Sequence, residues 1–273
     1  MTMTTTKDGY ATVDGGRLYY EVGGAGEPLM FMHAGFVDCR MWDDQWHALS
    51  GGNRTIRFDM RGFGKSDPAS TEVSRRGELH GLLRQLDITR TTLIGCSAGG
   101  AVALDFALEH PEMVSALILV STVPGGFEWQ GEPPQYVIEM MAAIERGDVA
   151  LASELQNRLW IDGPFRKPDE SDPDVRRRAA EMNRHAITNG AWTVTDTNPL
   201  QPCALERLGE VGVPTLIVVG ELDDPEILRA ADVLQHGITG AQKVIVPSCA
   251  HLPNMERPAE FNDAVLSFLD RDL

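Results

Sequence analysis

Short apolar runs recur along the chain and alternate with longer segments of helical periodicity. The runs are rich in Ile, Leu and Val at consecutive positions, which is typical of strands that are buried on both faces of a parallel sheet. They are PLMFMHA (28–34), RTIRFDM (54–60), TTLIGCS (91–97), SALILVST (115–122), PTLIVVGE (214–221) and QKVIVPS (242–248). This pattern predicts six buried strands in a mostly parallel sheet.

Two further strands are predicted at the start of the chain. Residues 10–24 contain a hairpin signal, Asp14-Gly15-Gly16, between two segments of strand character. Between the strands lie segments of helical periodicity, at 39–50, 72–87, 98–110, 225–236 and 258–270. Alternating strands and helices predict an α/β fold in which helices cover both faces of an eight-stranded sheet.

One long stretch interrupts this alternation. Between Thr122 and Thr215 the sequence contains helical periodicity but no convincing strand. We therefore predict a core domain formed by residues 1–124 and 206–273, and a helical cap, or lid, formed by residues 125–205 and inserted after the sixth strand.

Composition narrows the classes of partner. The 24 Lys and Arg residues against 40 Asp and Glu residues give a net charge of −16, which disfavours binding to nucleic acid and to anionic lipid. No signal-type segment or apolar run of membrane-spanning length is apparent, so we expect no membrane association and a cytoplasmic location. The four cysteines are widely separated, which favours neither a disulfide framework nor a metal site.

A glycine-flanked serine lies where a predicted strand meets a predicted helix. Gly95-Cys96-Ser97-Ala98-Gly99 fits the pattern G-x-S-x-G, in which a sharp turn exposes the serine above the sheet. The same turn directs the amide of Ala98 toward the space where a negatively charged oxygen would form. The pattern predicts a nucleophilic Ser97. The alternative is a serine that only caps the following helix.

A serine nucleophile needs a histidine base and a carboxylate that orients the base. His251 follows the last predicted strand, at the same edge of the sheet as Ser97. For the acid, Asp223 is the first choice in the segment after the preceding strand, and Asp224 and Glu221 remain alternatives. His33 shares this edge but directly follows a buried strand, where a role in shaping a loop is expected.

These segments resemble the α/β-hydrolase fold superfamily. The resemblance is carried by MHAGFVDCRMW (32–42), FDMRGFGKSD (58–67), GCSAGG (95–100), and GELD together with CAHLPNMERP near the end of the chain. Within the superfamily the chain is similar to small serine esterases and lactonases, including the 3-oxoadipate enol-lactonase type, and to cofactor-free haloperoxidase and perhydrolase relatives.

The resemblance implies specific roles. Ser97 would be the nucleophile, Asp223 the acid and His251 the base. The second oxyanion-hole amide would be that of Gly35, with the amide of Phe36 as the alternative because alanine stands at position 34, where the family usually has glycine. The segment DMRGFGKSD would organise a loop rather than take part in the chemistry.

We therefore expect a serine hydrolase that cleaves a carboxylic ester or lactone of a small, mainly apolar molecule through an acyl-enzyme, with no metal or other cofactor. The residues expected to contact the substrate are Phe36, Cys96, Trp129, Met140, Trp160 and Leu252. Carbon–carbon bond hydrolysis, cofactor-free perhydrolase or haloperoxidase chemistry, and a receptor with negligible turnover remain alternatives. The oligomeric state, including a homo-oligomer, is left open.

Overall fold

An eight-stranded sheet forms the centre of the molecule. The computed structural model describes residues 6–68, 72–130 and 135–272, so those parts of the predicted core and cap at 1–5, 69–71, 131–134 and 273 lie outside the described residues. The strands of the sheet are β1 (Lys7–Val13), β2 (Gly16–Gly24), β3 (Glu27–Met32), β4 (Asn53–Phe58), β6 (Thr91–Cys96), β7 (Val114–Val120), β9 (Thr215–Gly220) and β10 (Gln242–Val246). Their spatial order is β1-β2-β4-β3-β6-β7-β9-β10.

The sheet is mostly parallel, as predicted. Only β2 runs against its neighbours, β1 on one side and β4 on the other. The β1–β2 hairpin turns at Asp14 and Gly15, whose φ values of 47° and 76° are both positive, as a tight two-residue hairpin turn requires. Every residue of β6 and β9 is buried, which explains why neither strand contains a charged residue.

Helices cover both faces of the sheet and create two hydrophobic cores. One core contains Leu79, Phe106 and Leu234, and the other contains Trp42 and Phe261. The helices are α1 (Asp43–Leu49), α2 (Arg75–Gln85), α3 (Ala98–Glu109), α4 (Gln135–Glu145), α5 (Val149–Gln156), α6 (Pro173–Thr188), α7 (Ala204–Arg207), α8 (Pro225–Gly237), α9 (Pro253–Glu256) and α10 (Pro258–Asp272). The predicted fold class is confirmed.

The chain between β7 and β9 is mainly helical. It contains α4, α5 and α6, with α5 packed between the other two, and a π-helical segment at Asn157–Asp162. We call residues 125–205 the insertion. It follows the sixth strand of the large sheet, as predicted, whereas its division from the core as a separate domain stays a prediction.

The insertion also contains one short strand that the sequence did not predict. Thr195–Asp196, strand β8, pairs in parallel with Glu72–Val73, strand β5. A strand of two residues is too short to produce a periodic hydrophobic pattern. Its pairing depends on how the insertion packs against the core, which the sequence pattern does not show. The described helices include none that combines the length and the hydropathy needed to cross a bilayer.

Candidate active site

Ser97 occupies a strained turn between β6 and α3. Its φ and ψ are 52° and −115°, and its backbone amide donates a hydrogen bond to the carbonyl of Val120 on the neighbouring strand, at 2.8 Å. Non-glycine residues rarely adopt a positive φ, and such strain is commonly found at functional sites. The Ser97 side chain makes no capping hydrogen bond to α3, so the geometry does not favour the alternative of a simple helix cap.

Close backbone contacts explain the glycines beside Ser97. A Cβ atom added to Gly95 would lie 2.5 Å from the carbonyl oxygen of Gly99. One added to Gly99 would lie 2.6 Å from the carbonyl oxygens of Met32 and His33. These neighbours are backbone atoms, which cannot turn aside as a flexible side chain can. The start of α3 therefore packs against β3 at a distance that only glycine permits.

Replacing Gly99 with alanine is expected to destabilise the protein by about 1 to 3 kcal/mol, because the new methyl group overpacks this contact. A loss of stability would be informative, because replacing glycine with alanine within a helix ordinarily stabilises a protein. Gly51→Ala is the matched control, because a Cβ atom there has no neighbour within 4 Å. Urea unfolding of both variants checks the expectation, and equal stabilities would contradict it.

His251 and Asp223 form a buried pair. The Nδ1 atom of His251 lies 3.0 and 3.1 Å from the two carboxylate oxygens of Asp223, and both side chains are at most 2% exposed. Within the described part of the chain, Nε2 of His251 is buried and has no hydrogen-bond partner. One nitrogen of the imidazole is therefore oriented by a carboxylate, while the other makes no hydrogen bond to the described residues.

The two alternative acids are engaged elsewhere. Asp224 accepts a hydrogen bond from the amide of Glu226 at 2.8 Å and caps α8. Glu221 accepts one from the amide of Ser248 at 3.0 Å. Of the three candidate carboxylates, Asp223 is the one that the structure brings into contact with His251.

The insertion covers His251. The ring of Trp160, in the π-helical segment, lies with its centroid 4.4 Å from that of His251, and Phe36 approaches the imidazole from the loop after β3 at 6.3 Å. The backbone amide of His251 also donates to the carbonyl of Trp160 at 3.2 Å. Two aromatic rings therefore limit the access of water to the imidazole.

The two predicted oxyanion-hole residues lie side by side. A Cβ atom added to Gly35 would be 3.2 Å from the Cβ atom of Ala98. Ala34 is not among the non-glycine residues with a positive φ, so alanine at this position causes no backbone strain. The amides of Gly35 and Ala98 stay the predicted donors, and Phe36 stays the alternative to Gly35.

His33 holds this loop in place. Its Nδ1 atom lies 2.8 Å from the carbonyl oxygen of Ala34, and its Nε2 atom accepts a hydrogen bond from the amide of Met60 at 3.0 Å. Complete burial lowers the pKa of His33 to about 4, so the ring is neutral near pH 7 and donates from Nδ1. These contacts fit the predicted loop-shaping role.

Lowering the pH from 7 to 5 is expected to reduce the free energy of unfolding of the wild-type protein by about 2 kcal/mol, because of the protonation of His33 in the unfolded chain. The folded-state pKa of about 4 lies below the unfolded value of 6.5, so the unfolded chain binds the proton first as the pH falls. A His33→Gln variant cannot titrate there and should lack this component. Denaturant unfolding at both pH values measures it, with His47→Gln as the control that keeps it. Equal pH dependence in wild type and His33→Gln would contradict the expectation.

A cavity of about 400 Å³ opens beside Ser97. Its walls are Gly35, Phe36, Met60, Phe63, Arg75, Ser97, Ala98, Val102, Trp160, Ala191, Trp192, Val194 and Asp196. Five predicted site residues thus lie on its wall, namely Gly35, Phe36, Ser97, Ala98 and Trp160. The volume suits a small molecule.

Four predicted substrate contacts lie away from this wall. Cys96 and Leu252 are fully buried in the hydrophobic core that also contains Trp42 and Phe261. Met140 is buried on α4, and Trp129 is 52% exposed, with its ring packed against Phe127 at 6.2 Å. Helical periodicity and proximity in sequence did not reveal which of these side chains face the cavity.

Several wall residues were not anticipated. Met60 and Phe63 follow β4 at the same sheet edge as Ser97, and this edge position could have indicated them. Arg75 follows β5 and Asp196 is the last residue of β8, and this short strand pair leaves no sequence signal. The cavity therefore contains an arginine that the sequence did not suggest.

The DMRGFGKSD segment is held by its own polar residues. The Asp59 carboxylate accepts hydrogen bonds from the amides of Cys39 and Lys65, each at 2.8 Å, and Ser66 donates to the Asp59 carbonyl at 2.5 Å. Arg61 donates to the carbonyl of Val13 at 2.6 Å. These contacts organise the loop, as the resemblance implies.

One group of potential metal ligands occurs in the described ranges, formed by Asp38, Cys39 and Asp59, whose ligand atoms lie within 4.8 Å of one another. Their carboxylates are already bonded, that of Asp38 to Arg40 at 2.7 Å and that of Asp59 to backbone amides. Burial raises the pKa of the Cys39 thiol well above its ordinary value, so the thiolate that a metal requires is disfavoured. We assign no metal to this group.

Comparisons with known proteins agree with this architecture. The model of the "Alpha/beta hydrolase family" matches residues 29–264. A 2-hydroxy-6-oxo-6-phenylhexa-2,4-dienoate hydrolase of Comamonas testosteroni is 27% identical over 278 residues, which cover 92% of this chain and 91% of that protein.

Solved structures are similar over almost the whole chain. The crystal structure of a hydrolase from Pseudomonas aeruginosa PA01 has a TM-score of 0.78 and 27% identity, and 98% of each chain is covered. The enol-lactonase from Burkholderia xenovorans LB400 also has a TM-score of 0.78, with 24% identity, over 96% of this chain and all of that one. This likeness concerns the fold.

The family match and the hydrolase relative identify the protein as an enzyme of hydrolytic type. The chain belongs to the alpha/beta hydrolase family.

Proposed function

We propose that this enzyme is a serine hydrolase that cleaves a carboxylic ester or lactone of a small, mainly apolar molecule through an acyl-enzyme. The observation that carries the proposal is a strained Ser97 on the wall of a 400 Å³ cavity, together with a buried histidine–aspartate pair whose imidazole packs against Trp160 of the same wall. A strained serine, an oriented imidazole and a cavity are the parts that acyl transfer requires.

In the proposed reaction, Nε2 of His251 removes the hydroxyl proton of Ser97 as the serine oxygen attacks the substrate carbonyl. Asp223 keeps the other ring nitrogen protonated and stabilises the imidazolium that forms. The amides of Gly35 and Ala98 hold the oxyanion. His251 then gives its proton to the leaving alcohol, and a water molecule repeats the sequence to release the acid.

The cavity wall supports an apolar substrate body. Phe36, Met60, Phe63, Val102 and Trp192 contribute side chains without a formal charge. Residues of the insertion form part of this wall, and Trp160 covers the imidazole. We infer that the insertion acts as a lid that keeps water from the reacting groups until one molecule attacks the acyl-enzyme.

A second candidate reaction is the hydrolysis of a carbon–carbon bond. It is favoured by the relative from Comamonas testosteroni, a dienoate hydrolase that is similar to this chain over nearly its full length. The same serine, histidine and aspartate can serve both reactions, so the two candidates differ in substrate rather than in the nucleophilic set.

Two measurements test the proposal. Wild-type enzyme is treated with a fluorophosphonate probe, and the labelled residue is identified by peptide mass spectrometry. Hydrolysis is then measured on p-nitrophenyl esters of increasing acyl length, on several lactones, and on 2-hydroxy-6-oxo-6-phenylhexa-2,4-dienoate. We expect labelling at Ser97 and turnover of an ester or a lactone.

The other outcomes are decisive as well. Turnover of the dienoate at a kcat/KM far above that of every ester and lactone would replace the proposal with carbon–carbon bond hydrolysis. A folded protein that neither becomes labelled nor turns over any of these compounds would favour a receptor.

A further inference from the structure

Arg75 is the one positively charged side chain among the described residues that line the cavity beside Ser97. It is the first residue of α2, and its side chain is only 12% exposed. Nη1 donates to the carbonyl of Arg61 at 3.0 Å and lies 3.1 Å from Oε2 of Glu78. No hydrogen bond within the described ranges uses Nε or Nη2.

We propose that Arg75 makes this cavity selective for substrates that carry a carboxylate group in addition to the bond that is cleaved. The uncommitted Nε and Nη2 atoms form the edge of the guanidinium group whose geometry matches the two oxygens of a carboxylate. This inference rests on the proposed hydrolase function and adds a substrate class to it.

The charges around Arg75 leave room for an anion. Two guanidinium groups, those of Arg61 and Arg75, share the buried carboxylate of Glu78, at 2.8 and 3.1 Å. This group of three therefore has a net charge of +1. An incoming carboxylate would complete a second ion pair in a partly desolvated place, where charge-assisted hydrogen bonds are strong.

Asp196 contributes a negative charge to the same cavity wall as Arg75. Its Oδ1 atom accepts a hydrogen bond from the amide of Asn198 at 3.0 Å, and no ion pair within 4.0 Å joins it to Arg75 in the part of the chain that the structure describes. Its negative charge must weaken the binding of an anion, so the two residues are expected to act on selectivity in opposite directions.

The remaining wall is apolar, so the substrate class is an apolar body with one carboxylate. The overall charge of −16 repels anions at long range. A measured preference for an anionic substrate would therefore have to come from a local group rather than from the field of the whole protein.

The test uses two matched pairs of esters. 4-Acetoxybenzoate and its methyl ester differ by a carboxylate on the alcohol side, and monomethyl glutarate and dimethyl glutarate differ by one on the acyl side. The quantity measured is the ratio of kcat/KM for the acid to kcat/KM for its neutral partner. We expect Arg75→Gln to lower this ratio by about 10- to 100-fold for at least one pair, because the substitution removes a hydrogen bond between charged groups.

Three further variants separate recognition from structure. Arg75→Lys, which keeps the charge but loses the paired donors, should give an intermediate ratio. Asp196→Asn should raise the ratio by about 2- to 5-fold, because it removes a repelling charge. Arg177→Gln, at an exposed arginine on α6, is the matched control and should leave the ratio unchanged. Thermal unfolding of each variant establishes that it is folded.

A binding measurement keeps this inference distinct from the proposed function. Tryptophan fluorescence of Ser97→Ala, in which Trp160 and Trp192 line the cavity, is titrated with benzoate and with methyl benzoate. Tighter binding of benzoate that disappears in Ser97→Ala/Arg75→Gln supports the inference even if none of the esters is turned over. Unchanged acid-to-neutral ratios in Arg75→Gln, Arg75→Lys and Asp196→Asn would overturn it, even where ester hydrolysis still depends on Ser97.

Discussion

Replacing Ser97 with alanine is expected to lower kcat for the best ester or lactone substrate by about 10⁶-fold, because the nucleophile, base and acid act as a unit. Substrate binding should persist, since the substitution removes only one oxygen from the cavity wall. The measurement is steady-state kinetics together with fluorophosphonate labelling, which should also disappear.

Ser121→Ala is the matched control for this change. Ser121 follows β7 at the same edge of the sheet, has a positive φ of 45° as Ser97 does, and is 1% exposed. It does not line the cavity, so its loss should change kcat by no more than a few fold. If Ser97→Ala retained one part in a hundred of wild-type activity, Ser97 would not be the nucleophile.

Replacing Asp223 with asparagine is expected to lower kcat by about 10⁴-fold with little change in the shape of the site. The carboxylate accepts a hydrogen bond from Nδ1 of His251, whereas an amide can donate to that nitrogen and thereby favour the wrong tautomer. Nε2 of His251 would then carry a proton already, and it could not accept the hydroxyl proton of Ser97. Stopped or steady-state assays on the same ester measure the loss.

Asp224→Asn provides the comparison for Asp223→Asn. Asp224 is adjacent in sequence but caps α8, and asparagine caps a helix about as well as aspartate does. The kcat of Asp224→Asn should remain within a few fold of the wild-type value. Equal losses in the two variants would show that the carboxylate next to His251 has no special role.

The strands could be predicted because burial on both faces leaves an unbroken apolar sequence. Strand β6 was expected at 91–97 and is found at Thr91–Cys96, and β9 was expected at 214–221 and is found at Thr215–Gly220. Strand β7 was predicted to extend to Thr122 but ends at Val120, because Ser121 turns the chain with a positive φ. A hydropathy pattern indicates which residues are buried. Ser121 and Thr122 are still buried although the strand pairing of β7 has already ended.

The site was predictable where chain order and sheet topology determine position. Loops that follow parallel strands meet at one edge, so chain order alone puts Ser97, Asp223 and His251 at the same edge of the sheet. The structure pairs Asp223 with His251, and the role of Ser97 as the nucleophile stays a prediction. The insertion was not predictable in this way. Trp129 and Trp160 are both aromatic and both outside the sheet, yet Trp160, in a π-helical segment, packs against His251, whereas Trp129 packs against Phe127.

The strained conformation of Ser97 has a consequence for selection on this chain. A non-glycine residue at such a φ costs the folded state about 1 to 3 kcal/mol, a noticeable part of the 5 to 15 kcal/mol that typically separates folded from unfolded protein. Selection for thermal resistance alone would favour glycine at position 97. With serine there instead, the chain gives up stability at the place where its proposed chemistry begins.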